Sequence, residues 1–177
     1  SCDRCAGNGT ALKLRTEGEF KTEFKKKSLL IGPYISWQQF NQDILDFSDS
    51  LKGKGYDAVI GVPRSGMVVA SQMSIRLGVP LYSLNEYGPI YLGGGLRVRK
   101  RQNFGDPKNA LLVEDSTASG YSIREAVEWM GDAMQEWKVN TAAVYTTDSQ
   151  KANLSKYHRV INLPHWFEWN LIWNRFL

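Results

Sequence analysis

The sequence predicts an α/β fold: an open, mainly parallel twisted sheet flanked by helices. Three observations predict it. Short aliphatic runs alternate with amphipathic helical patterns, the order that produces crossover units and a parallel sheet covered on both faces. One of those runs, Ala110-Leu111-Leu112-Val113, is apolar throughout, as a buried strand is. The 177 residues are 42% hydrophobic, enough for one globular domain with a real core.

Residues 1–34 read as an N-terminal extension, polar, lysine-rich and weakly periodic, in which Leu29-Leu30-Ile31 can add an edge strand. The core is expected over residues 35–162. Ser36 is placed to cap a helix that carries Trp37, Phe40, Ile44 and Phe47 on one face, and Lys52-Gly53-Lys54-Gly55 ends it. Asp57 to Val62 reads as a central strand, Ser65 to Leu77 as a helix closed by Gly78, and Val79 to Leu84 as a second strand. The Ala110 strand is the third, followed by an amphipathic helix from Tyr121 to Trp137. Thr141 to Thr146 is the fourth strand and Arg159 to Asn162 the fifth. Asn85 to Asn109 remains as a long glycine-rich loop with a basic run at its middle; a loop of that length in a compact domain is usually functional. Residues 163–177 form an aromatic C-terminal segment.

The net charge is +4, and the basic residues cluster in Lys25-Lys26-Lys27 and in Arg97 to Arg101 rather than coating the chain. That pattern suits solvated faces or a polyanionic small ligand, and nucleic acid is not expected as a partner. No stretch is long and apolar enough to span a bilayer, and no secretory signal is visible. The chain begins at Ser1, as a missing or processed start would leave it, and a cytoplasmic location is expected.

The densest chemistry lies after the third strand. Glu114 and Asp115 stand at its carboxyl end, Ala118-Ser119-Gly120 forms a small-residue loop, and Tyr121 and Ser122 open a helix. Amides of such a loop and of a first helical turn point outward and, with the helix dipole, favour an anion. Two adjacent carboxylates can accept hydrogen bonds from vicinal hydroxyls. The arrangement suits a ribose 5-phosphate.

The run Ala110 to Ser122 (ALLVEDSTASGYS) resembles the phosphoribosyl-pyrophosphate motif of type I phosphoribosyltransferases. It departs from that motif at Thr117, where the family usually has an aliphatic residue. The run Gly61-Val62-Pro63-Arg64-Ser65-Gly66 is similar to the family's pyrophosphate loop, in which the peptide between Pro63 and Arg64 would be cis. The resemblance extends in element order from Asp57 to Asn162. It implies the type I phosphoribosyltransferase fold with a small C-terminal hood, and an enzyme that passes ribose 5-phosphate from phosphoribosyl pyrophosphate to a nucleobase.

On that resemblance, Ala118, Ser119, Gly120, Tyr121 and Ser122 would hold the 5-phosphate, and Glu114 and Asp115 the ribose hydroxyls and the developing sugar cation. Pro63, Arg64, Ser65 and Gly66 would bind pyrophosphate. Arg99 and Lys100, in the position of the family's mobile catalytic loop, would neutralise pyrophosphate as it leaves. Mg2+ is expected, held by substrate oxygens with Glu114 and Asp115. Trp166, Phe167, Glu168 and Trp169 would contact the base, or the aromatics would simply pack onto the core. Phe-Glu-Trp-Asn tails of this kind resemble those of phage-type members. Ala118 excludes an aspartate general base at that loop position.

Cys2 and Cys5 are the chain's two cysteines and resemble one half of a zinc knuckle. A structural zinc needs four ligands, so the pair is a truncated ribbon, a half-site completed by a second subunit, or an idle tail. His158 and His165 lack a second ligand at helical spacing and read as structural or surface residues. A homodimer is expected. A different class of function also fits the sequence: a non-catalytic module on the same fold that senses phosphoribosyl pyrophosphate or a nucleotide.

Overall fold

A computed structural model describes residues 34–94, 107–162 and 166–167. The expectations on Leu29 to Ile31, Lys25 to Lys27, Cys2 and Cys5, Arg97 to Arg101, His165, Glu168 and Trp169 lie outside those residues. The elements run β1 (Tyr34–Ile35), α1 (Trp37–Leu51), β2 (Ala58–Gly61), α2 (Gly66–Leu77), β3 (Leu81–Asn85), β4 (Gly88–Gly93), β5 (Asn109–Thr117), α3 (Tyr121–Met130), α4 (Ala133–Glu136), β6 (Lys138–Thr146), β7 (Lys156–Val160) and β8 (Trp166–Phe167). Among the described residues, six strands form a sheet in the order β4-β3-β2-β5-β6-β7. All neighbours are parallel except the β3–β4 hairpin.

Local chemistry sets the element ends. The Ser36 hydroxyl accepts the Gln39 amide at 3.1 Å and caps α1. Gly78 closes α2 in the left-handed conformation at φ +68°, where a side chain would be strained. The Asp57 carboxylate takes the amides of Lys108 and Asn109, both at 3.0 Å, and so fastens the start of β5 beside β2.

The two faces of the sheet are covered separately, as the alternation of side chains along β2 and β5 requires. Val59, Leu111 and Val113 pack with Phe40, Ile44 and Phe47 of α1 and with Val69, Ala70 and Met73 of α2. Ala58, Ile60, Ala110 and Leu112 pack with Ile123, Ala126 and Met130 of α3. No helix of the described residues is long and apolar enough to cross a membrane.

Three expectations are corrected. Asn85 to Asn109 is not a loop from its first residue, because Gly88–Gly93 pairs antiparallel with β3. The turn between them is set by the Asn85 side chain, which accepts the Tyr87 amide at 2.9 Å. The helix expected from Tyr121 to Trp137 stops at Met130, where Gly131 adopts φ 52° and ψ −130°; a short helix follows, and Trp137 is still buried. The last strand of the sheet is Lys156–Val160 rather than Arg159 to Asn162.

Two very short strands join the first and the last of the described residues. β1 and β8 pair in parallel, with Tyr34 opposite Trp166 and Ile35 opposite Phe167.

Candidate active site

The strand order reverses between β2 and β5. From β2 the chain crosses to β3 on one side; from β5 it crosses to β6 on the other. The two connections leave in opposite directions and open a crevice at the carboxyl ends of these strands, where open α/β sheets bind ligands. Both sequence motifs end there.

β5 continues past its apolar run. Glu114 stays paired with Ala143 of β6, Ser116 with Tyr145 and Thr117 with Thr146. The acidic pair is thus part of the strand, with Glu114 5% and Asp115 6% exposed. A Glu114 carboxylate oxygen accepts the Asp115 amide at 3.1 Å, and Asp115 accepts the Ser116 amide at 2.8 Å. Burial pushes the Glu114 carboxyl up to about 9, and the neighbouring Asp115 carboxylate adds to the shift. Thr117, the departure from the family pattern, is buried and bonded to the Thr146 hydroxyl at 2.9 Å. The hydroxyl absent from an aliphatic residue is answered by its cross-strand neighbour.

The second wall is the turn from β2 into α2. Val62 donates its amide to the Val113 carbonyl at 3.1 Å, which carries β2–β5 pairing to the mouth of the crevice. The Pro63–Arg64 peptide is cis, and Pro63 and Arg64 are exposed there. Gly66 opens α2 with no room for a side chain. A Cβ would lie 2.9 Å from the Val113 carbonyl oxygen and 3.0 Å from the Glu114 carboxylate. Glycine thus lets a helix N-terminus begin directly against the acidic pair. No side chain caps that helix start.

The third wall is the loop from β5 into α3. Ala118 and Ser119 are exposed. Gly120 takes φ +71° and turns the chain into the helix. The Ser119 hydroxyl accepts the Tyr121 amide at 3.3 Å, and Tyr121 and Ser122 face solvent at the helix start, which lacks a side-chain cap. Two uncapped helix starts thus flank one pair of carboxyls, a layout for a ligand with phosphates at both ends and hydroxyls between.

The structure also brings forward residues that the motifs did not contain. Gln150, on the loop after β6, lies against Gly120, and its carboxamide occupies the space a Cβ there would need. Asn153 donates to that carboxamide at 3.1 Å. Nothing in the polar run Thr147 to Gln150 distinguishes it in sequence.

Asp43 of α1 is 1% exposed and accepts from the Tyr145 hydroxyl at 2.6 Å, the Gln39 amide group at 2.9 Å and Arg159 at 3.0 Å. The His158 imidazole lies 3.4 Å away with its ring against Phe47, a structural place for that histidine. Here a signal existed. Asp43 falls on the helical stripe of Phe40, Ile44 and Phe47, and a carboxylate on an apolar stripe needs buried donors.

Of the tail residues assigned to the base, Phe167 is 5% exposed and stacks on Tyr145, with centroids 5.5 Å apart and planes at 24°. Its ring is part of the core, so the packing account holds for Phe167.

The reversal of strand order, the acidic strand end and the two helix starts that follow β2 and β5 define a type I phosphoribosyltransferase fold. The phosphoribosyl transferase domain model matches residues 36–174, and the chain belongs to that family. Among solved structures, it is similar to a purine phosphoribosyltransferase from Pyrococcus horikoshii Ot3, at 19% identity and a TM-score of 0.56, over 77% of this chain and 92% of that one. It is also similar to the Helicobacter pylori xanthine-guanine-hypoxanthine phosphoribosyltransferase, at 16% identity and a TM-score of 0.58, over 81% of this chain and 97% of that one. These likenesses concern the fold.

Proposed function

We propose that this chain is a pentosyltransferase that moves ribose 5-phosphate from phosphoribosyl pyrophosphate to a nucleobase and releases pyrophosphate, in nucleotide salvage in the cytoplasm. The observation that carries the reading is the convergence of Glu114 and Asp115 with two uncapped helix starts at the switch point of the sheet. Displacement at the anomeric carbon develops positive charge on the sugar. Glu114 and Asp115 hold the ribose hydroxyls, and the Asp115 carboxylate sets negative charge beside that centre, in a buried place where the field acts strongly.

The 5-phosphate sits on the amides and hydroxyls of Ala118 to Ser122, and the pyrophosphate on the turn Pro63 to Gly66 with Arg64 beside it. Arg99 and Lys100 neutralise the departing pyrophosphate. Trp166 and Trp169 stack on the base and Glu168 reads its edge; Phe167, committed to the core, is left out of this role.

Magnesium fits this donor set. Two adjacent, nearly buried carboxyls, one pushed up to about 9, gain from a neighbouring cation. Among the described residues no cluster of three metal-ligating side chains exists, so Glu114 and Asp115 would share the ion with substrate oxygens and water. When bound, the ion would offset charge on the pyrophosphate oxygens.

The test is pyrophosphate release from phosphoribosyl pyrophosphate and magnesium with a panel of purine and pyrimidine bases. Base-dependent release is expected with at least one of them. Donor binding without release for any base would refute the transferase reading.

A further inference from the structure

We propose that Gln150 is a positioning residue for the ribose 5-phosphate: its carboxamide lies over Gly120 and fixes the turn whose amides receive the phosphate. The inference rests on the transferase reading of the crevice and brings in a residue from a third loop.

The two loops start from locked strand ends. Thr117 of β5 stands opposite Thr146 of β6, and their hydroxyls are bonded at 2.9 Å. Gly120 follows the first by three residues, and Gln150 follows the second by four. The loop after β6 is bonded within itself. The Thr147 carbonyl accepts the amides of Gln150 at 3.1 Å and of Lys151 at 2.9 Å, and a single 3₁₀ turn, Lys151–Asn153, follows. Asp148 accepts from Lys151 at 2.8 Å, and its amide donates to the Asn162 side chain, also at 2.8 Å. Asn153 donates to the Gln150 carboxamide oxygen at 3.1 Å. Gln150 is thus held by its backbone and by its tip.

The phosphate turn is what it is held against. Gly120 is buried, although Ser119 and Tyr121 on either side are exposed. A Cβ there would lie 2.9 Å from Gln150 Cδ and closer still to the carboxamide oxygen. The glycine is therefore required twice, by φ +71° and by this approach. Among the described residues no acceptor takes the Gly120 amide or the Gln150 carboxamide N–H groups. The first is one of the donors assigned to the 5-phosphate. The second sits beside it, with Nε2 3.5 Å from the same Cβ position. An apolar side chain of equal size would pack there without supplying donors. An anion site depends on donors held in place, and Gln150 braces the glycine turn from outside.

The test is equilibrium binding of ribose 5-phosphate and, separately, of pyrophosphate with magnesium to the full chain and its variants. Gln150→Ala is expected to weaken ribose 5-phosphate about tenfold and pyrophosphate by less than about twofold, since only the turn after β5 loses its support. Gln150→Glu keeps the acceptor that Asn153 uses but sets a negative charge beside the phosphate. It should weaken ribose 5-phosphate more than the Ala change does. In a Gly120→Ala background, Gln150→Ala should weaken binding no further, because the side chain removed is the one that the new methyl strikes. The first two variants carry the test on their own if Gly120→Ala does not fold. Equal affinity in the wild type and Gln150→Ala, a Glu variant milder than the Ala variant, or losses that simply add would each overturn the inference. Selective loss of ribose 5-phosphate in the variants, with no base supporting pyrophosphate release by the wild type, would count against the transferase reading and sustain the role of Gln150.

Discussion

Asp43 lies on the buried face of α1 with Tyr145, Gln39 and Arg159 donating to it and His158 beside it, drawn from α1, β6 and β7. Glu114 and Asp115 are nearly as buried, yet they sit side by side, take the amides of the residues that follow them, and the Glu114 carboxyl is pushed up to about 9. The first site collects its donors from distant parts of the chain and locks them together. The second sets two carboxyls side by side at the mouth of a crevice, where burial and the neighbouring Asp115 disfavour the charged form of Glu114 and a bound cation would favour it. Burial of a carboxylate alone therefore does not mark a functional site; the source of its partners does.

Replacing each side in turn tests that contrast. Asp43→Ala should cost about 3 kcal/mol in urea unfolding, as loss of one member of a buried charged network does, and should leave donor affinity within about threefold. Asp115→Asn should do the reverse. Pyrophosphate release should fall about a hundredfold, equivalent to about 2.7 kcal/mol of lost transition-state stabilisation, with Tm unchanged or raised because a buried carboxylate is replaced by a neutral amide. Comparable loss of stability in both variants would remove the distinction.

Gly66→Ala probes the contact between α2 and the acidic pair. The added methyl would meet the Val113 carbonyl at 2.9 Å, a backbone atom that cannot swing aside. Unfolding should become about 2 kcal/mol easier, and donor binding should weaken with it. Thr117→Val should cost about 1 kcal/mol, while the double change with Thr146→Val should recover most of that loss and leave turnover unchanged. A double variant as unstable as the sum of the singles would mean that the two hydroxyls are not paired.

The sequence made the central strands legible because β2 and β5 are apolar on both faces, and the caps legible because Ser36 and Gly78 are local signals. The two crevice loops were legible for the same reason: small residues, a carboxylate pair and helix starts lie within a few positions of one another. β4 was hidden because Gly88, Pro89 and Gly93 are turn formers, and its strand character comes from pairing with β3. β1 and β8 are two residues each, too short to show any period, and exist through each other. The stop at Gly131 was masked because Trp137, beyond it, returns to the same core. Asp43, Tyr145 and Arg159 are more than a hundred residues apart in part of their network, a separation no local pattern reports.

The most direct measurement of the central claim is a calorimetric titration of phosphoribosyl pyrophosphate with magnesium into the wild-type chain and into Asp115→Asn. The account predicts saturable binding of one donor per chain in the wild type and affinity at least about tenfold weaker in the variant, since the charged acceptor of the ribose hydroxyls becomes a neutral amide. Equal affinity in the two proteins would contradict the assignment of the acidic end of β5 as the ribose site.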